Sequence, residues 1–106
     1  MKKRNIILIG MPGAGKSSVG VILAKALGYE FIDTDLVIQH REKRLLREII
    51  ADEGNEGFLA IENEVNATLE ADESVIAPGG SAIYGKEAME HFKEIAEGLH
   101  MSPNKL

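Results

Sequence analysis

A lysine and a hydroxyl stand side by side at the end of Gly10-Met11-Pro12-Gly13-Ala14-Gly15-Lys16-Ser17. This stretch fits G-x-x-x-x-G-K-[ST] at every defined position, a pattern suited to the phosphates of a nucleotide. Its glycines let the backbone curl so that several N–H groups converge on phosphate oxygens, where any Cβ would obstruct. Lys16 is expected to reach the β- and γ-phosphates, and the Ser17 hydroxyl to hold Mg²⁺. A second set of reactive groups is Asp33-Thr34-Asp35, two carboxylates two residues apart. In one reading Asp33 or Thr34 is a plain cap for the helix from Leu36 onward. Equally, Asp33 is a candidate to hold the metal, directly or through water, and Asp35 to orient a substrate hydroxyl and accept its proton during attack on a γ-phosphoryl group. A third stretch, Pro78-Gly79-Gly80-Ser81, reads either as backbone close to a ligand or as a tight turn.

The neighbouring sequence supplies the elements that must position these groups. Asn5-Ile6-Ile7-Leu8-Ile9 reads as a buried parallel strand ahead of the glycine loop. Behind the loop, Val19, Ile22, Leu23, Ala26 and Leu27 recur with helical spacing as one apolar face. Gly28 is placed to end that helix, and Tyr29-Glu30-Phe31-Ile32 reads as a second strand running into the aspartates. Strand, helix and strand make a βαβ unit with parallel strands. Ligands of such sheets sit beyond the carboxyl ends of the strands, which puts Gly13 to Ser17 and Asp33 to Asp35 on one rim.

Residues 36–53 read as helical around Leu36, Val37, Ile38, Leu45, Leu46, Ile49 and Ile50, with the mixed charges at 41–44 as a solvated link and Arg47 at the surface. Gly54 and Gly57 bracket a turn, and a helix from Phe58 to about Ala71 carries Phe58, Ile61, Val65 and Leu69 on its buried stripe. Leu59 falls off that stripe, among Glu62, Asn63 and Asn66, as an exposed leucine on a polar face. Ser74-Val75-Ile76-Ala77 reads as a third strand and Lys86 to Glu97 as a last helix with Ala88, Met89, Phe92, Ile95 and Ala96 apolar. The segment 98–106 shows no strand pattern and is expected to fray. His40, His91 and His100 read as surface residues.

The chain has 106 residues, which bounds it to one domain, here read as residues 1–97 with 98–106 as a disordered tail. A net charge of −5 argues against a nucleic-acid surface. No cysteine is present, which excludes a disulfide scaffold and a thiolate metal site. No stretch approaches membrane-spanning length, so a cytoplasmic protein without membrane contact is expected.

Taken together, Gly-Met-Pro-Gly-Ala-Gly-Lys-Ser at 10–17, Phe-Ile-Asp-Thr-Asp at 31–35, the helix opening at Phe58 through Glu62 and Pro-Gly-Gly-Ser at 78–81 resemble the shikimate kinases, small P-loop kinases. The resemblance covers about residues 4–97. It implies an α/β, three-layer P-loop NTPase-type fold with a parallel sheet, and transfer of phosphate from ATP to the 3-hydroxyl of shikimate with Mg²⁺, in aromatic amino-acid biosynthesis. By position, Gly13, Ala14, Gly15, Lys16, Ser17 and Ser18 would cradle ATP. Lys16 and Asp35 would be catalytic, Ser17 and Asp33 would hold the metal, and Asp35 and Gly80 would contact shikimate.

Three departures from the family pattern carry expectations of their own. Leu59 stands where the family has an arginine for the shikimate carboxylate, which implies weaker carboxylate binding or a different hydroxylated metabolite. Ser81 stands where the family has a third glycine. The family also continues into two more strands, an arginine-bearing lid and an adenine-contacting segment. The expectation is therefore an incomplete sheet of about three of the family's five strands, with the strand at 5–9 left as an open apolar edge that invites self-association, and, as the alternative to an active kinase, an inactive chain that only binds nucleotide.

Overall fold

The computed structural model describes residues 4–9 and 13–101, with the backbone alone for 13–17 and 97–101. The elements in order are β1 (Asn5–Ile9), α1 (Gly13–Leu27), β2 (Glu30–Asp33), α2 (Thr34–Glu42), α3 (Leu46–Ala67), β3 (Ser74–Ala77), a 3-10 helix (Gly80–Tyr84), α4 (Lys86–Ile95) and β4 (Ala96–Met101). The strands form one sheet in the order β2-β3-β1-β4. Its pairings are all parallel, with Asn5 opposite Ser74, Glu30 opposite Ser74 and Asn5 opposite Ala96. The expected α/β fold with a parallel sheet is therefore present.

Side-chain alternation along β1 divides the core between the two faces of the sheet. Ile7 and Ile9 meet Ile76, Phe92 and Ile95, which brings α4 onto one face. Ile6 and Leu8 meet Val75 and Ala24, which brings α1 onto the other. A third cluster of Ile38, Ile49 and Val65 joins α2 to α3. Among the described residues no helix is long and apolar enough to cross a membrane.

Several expectations are corrected. Residues 98–101 are not a fraying tail: they complete β4 beside β1. The pairing ends α4 at Ile95, two residues before the expected boundary. The sheet accordingly has four strands rather than three, and β1 is an inner strand with no open edge. The reason is positional: β1 offers hydrogen-bonding groups on both sides, and the chain leaving α4 runs parallel to it, so a segment without an alternating pattern is still recruited. Residues 102–106 lie outside the described residues.

The buried face of α1 is also rotated from the expected one. Val19, Ile22 and Leu27 are exposed, Ile22 by 69%, whereas Gly20 and Ala24 are buried. A Cβ on Gly20 would collide with the Phe31 ring, so small residues, not the large apolar ones, let this helix approach the sheet. Gly28 does end the helix, with φ of +72° and the Tyr29 N–H bonded to the Ala24 carbonyl at 2.8 Å. The expected turn between Gly54 and Gly57 is instead a kink within α3 at Gly54, where φ is +76°, and the helix ends at Ala67 rather than Ala71. Leu36, Leu45 and Ile50 are exposed rather than anchoring. His91 is half-buried, its Nε2 2.7 Å from the Leu69 carbonyl oxygen, and so is not a plain surface residue.

Candidate active site

The carboxyl ends of β1, β2 and β3 lie along one rim because the three strands are parallel. β1 leads towards α1, whose first turn begins at Gly13 and contains no acidic residue. Gly10, Met11 and Pro12 lie outside the described residues. So do the side chains of Ala14, Lys16 and Ser17; the backbone from Gly13 to Ser17 is helical. Ser18, the last residue of the expected cradle, is exposed on α1.

β2 delivers Asp33 and Asp35 to the same rim. Asp33 is the N-cap of α2 and its Oδ1 accepts the Asp35 N–H at 2.9 Å. The capping reading of Asp33 is thus realised, and it turns Asp35 away from the strand axis into the first helical turn. Beside it, β3 ends at Ala77 and delivers Gly79. Asp35 Oδ1 and Glu62 Oε2 lie 2.8 and 3.2 Å from the position a Cβ on Gly79 would occupy. Gly79 is required here for space, since its φ of −63° is open to any residue. A Cβ on Gly80, by contrast, would meet nothing within 4 Å, so this backbone faces open space.

Glu62 reaches this cluster from α3, only 2% exposed, and its Oε1 accepts a 2.7 Å hydrogen bond from the Ser81 hydroxyl. Leu59, one turn earlier, is half-buried rather than exposed. With Glu62, Asn63, Ser81, Tyr84 and Lys86 it lines a cavity of about 280 Å³. The polar face of α3 thus points inward, with Glu62 and Asn66 both buried. The sequence alone does not point to the side chains of Glu62 and Ser81 as parts of a site. The one signal for Glu62 is its helical spacing from Leu59, since the polarity of that face hides its burial. A larger cavity of about 520 Å³, lined by Leu36, Gln39, His40, Lys43, Arg44, Leu45 and Glu48, shares no residue with this cluster.

A parallel sheet with its phosphate-binding pattern between β1 and α1, and carboxylates at the next strand end, defines a P-loop kinase-type fold. The family model for shikimate kinase matches residues 12–104. Shikimate kinase 2 of Yersinia enterocolitica is 44% identical over 80 residues, which is 76% of this chain and 46% of that protein. Shikimate kinase of a Nostoc species is 45% identical over 84 residues, 78% of this chain and 46% of that one. Among solved structures, shikimate kinase from Acinetobacter baumannii in complex with shikimate superposes with a TM-score of 0.82 at 32% identity, over 97% of this chain and 59% of that one. The enzyme from Bacteroides thetaiotaomicron gives 0.79 at 29% identity, over 92% and 56%. This chain belongs to the shikimate kinase family, and it spans about half the length of the curated relatives it matches.

Proposed function

We propose that the protein transfers the γ-phosphoryl group of ATP to the 3-hydroxyl of shikimate. The observation that carries this reading is the convergence of Asp35 and Glu62 on Gly79, at the carboxyl rim that also receives the start of α1. The first-turn N–H groups of α1 lack partners within the helix, and that turn carries no acidic residue of its own, which fits the phosphates of ATP. In this reading Gly13, Ala14, Gly15 and Ser18 contribute to that cradle, and Lys16 follows the charge that develops between the β- and γ-phosphates. Ser17 and Asp33 are the residues to hold Mg²⁺. Asp33 uses Oδ1 for its cap, so Oδ2 is the oxygen to face the metal, directly or through water. Bound Mg²⁺ neutralises charge building on the phosphate oxygens. Asp35 orients the acceptor hydroxyl and takes its proton, and the open backbone at Gly80 lets the acceptor ring lie close.

The test is release of ADP by the purified chain supplied with Mg·ATP, with and without shikimate. Shikimate-dependent release is expected. Equal release in both conditions overturns the reading.

A further inference from the structure

The cavity of about 280 Å³ between α3 and the 3-10 helix adjoins the strand ends, because Glu62 lines it and also faces Gly79 beside Asp35. Leu59 brings this cavity no charge. Among the described residues that line it, Lys86 alone is cationic. Lys86 opens α4 and is exposed, and among the described residues its ammonium makes no hydrogen bond or ion pair. Glu87, the next residue, does not neutralise it. The Glu87 carboxyl is held instead by the Asn63 amide at 2.9 Å, and the charge of Lys86 is the weakest of the influences that lower its pKa. A carboxyl held in this way is ionised at neutral pH and repels a second anion. A carboxylate entering the cavity is therefore drawn to one place, the lysine end. The flexible four-carbon stem lets the ammonium follow it there.

We propose that Lys86 binds the carboxylate of the acceptor and so selects anionic over neutral acceptors. The proposal rests on the reading of the acceptor as shikimate, a carboxylate, and deepens it: Asp35 marks the reacting end of the site and Lys86 the charged end. It follows that residue 86 sets affinity through the charge of the acceptor, and that the effect disappears for an acceptor that carries none.

The experiment titrates the full chain by calorimetry with shikimate and, in parallel, with its methyl ester, which keeps the hydroxyls and lacks the charge. The unsubstituted chain is expected to bind the ester about tenfold more weakly than shikimate. Lys86→Ala is expected to weaken shikimate binding about tenfold at low salt and to leave ester binding within about twofold. Lys86→Arg keeps the charge and should hold shikimate affinity within about threefold. Lys93→Ala removes an exposed lysine from the last turn of the same helix and should change neither affinity, which separates a local contact from the loss of net charge. Unchanged shikimate affinity in Lys86→Ala overturns the proposal. So does an equal loss for shikimate and ester, which marks damage to the cavity rather than a lost charge. Should the unsubstituted chain bind neither ligand, the acceptor reading itself fails and the role of Lys86 falls with it.

Discussion

Asn63 on α3 caps α4 from outside the helix: its Oδ1 accepts the Ala88 N–H at 2.9 Å, and its Nδ2 donates to Glu87 Oε1 at 2.9 Å. The residue at the N-cap position itself, Gly85, has no side chain to do this, and a Cβ there would collide with the Asn63 amide. One side chain thus fixes α4 against α3 and, through the 3-10 helix just before it, fixes the wall that carries Ser81. Asn63→Ala is expected to lower stability by about 1 kcal/mol, the ordinary cost of a lost cap. A urea-unfolding midpoint equal to that of the unsubstituted chain would show that the cap contributes nothing.

The same contact sets a pH dependence. Donation from Asn63 holds the exposed Glu87 carboxyl below its ordinary value of 4.5, helped by its own backbone N–H and weakly by Lys86. A carboxyl depressed on folding stabilises the fold fully above its unfolded value and loses that contribution as the pH falls through its folded value. Glu87→Gln should therefore flatten the stability profile below about pH 4.5 and leave its slope above that unchanged. Identical acid limbs in thermal scans from pH 3 to 6 would refute the assignment.

Asn5 ties three segments together at the base of the sheet. Its Nδ2 donates to the Ala71 and Ile95 carbonyls at 3.0 and 2.9 Å, and its Oδ1 accepts the Ser74 N–H at 3.1 Å. It is fully buried, so replacing it strands several backbone groups. Asn5→Ala is expected to cost about 2–3 kcal/mol by urea denaturation. A loss under 1 kcal/mol would mean that water replaces the amide.

Gly79→Ala separates chemistry from stability. The new Cβ would press hardest on Asp35 Oδ1 at 2.8 Å, the far end of a half-buried side chain, whereas the buried Glu62 Oε2 at 3.2 Å has to yield by only a few tenths of an ångström. The unfolding midpoint should hold, while kcat/KM for shikimate-dependent ADP release drops about a hundredfold through misplacement of Asp35. Retained kcat/KM would remove Asp35 from the reacting centre.

Leu59→Arg places a guanidinium in the cavity one turn from Glu62. Shikimate should bind about tenfold to a hundredfold more tightly, the worth of a charge-assisted contact. Calorimetry showing no gain would place the acceptor carboxylate elsewhere.

The strands at 5–9 and 74–77 are legible because each is an unbroken apolar run, a local signal. The same holds for Asp33 as a cap and Gly28 as a helix end. What was not legible depends on neighbours. Val19 and Ile22 look like a core stripe, yet the sheet accepts the helix at Gly20 and Ala24 because only small residues clear Phe31. Glu62 and Asn66 look solvated, yet α3 is covered on that side as well. β4 has no pattern of its own, and its place is set by β1. Around the candidate site, the sequence offers Asp35 and Gly80 as candidates, whereas the hydrogen bond between Ser81 and Glu62 depends on two helices being brought together.

The inner position of β1 has a consequence for how the chain is made. Its partners are Ser74 and Ala96 at one end and Ile76 and Leu99 along its length, so of the four strands the earliest in sequence has its pairing completed last. The apolar run Ile6-Ile7-Leu8-Ile9 must wait on the ribosome until both distant segments have emerged. Local pairing cannot shelter it meanwhile, since closing such wide loops is slow. Any factor that binds nascent apolar segments therefore has a long opportunity at this run, and a pause in translation before β3 prolongs the interval in which it is open to aggregation.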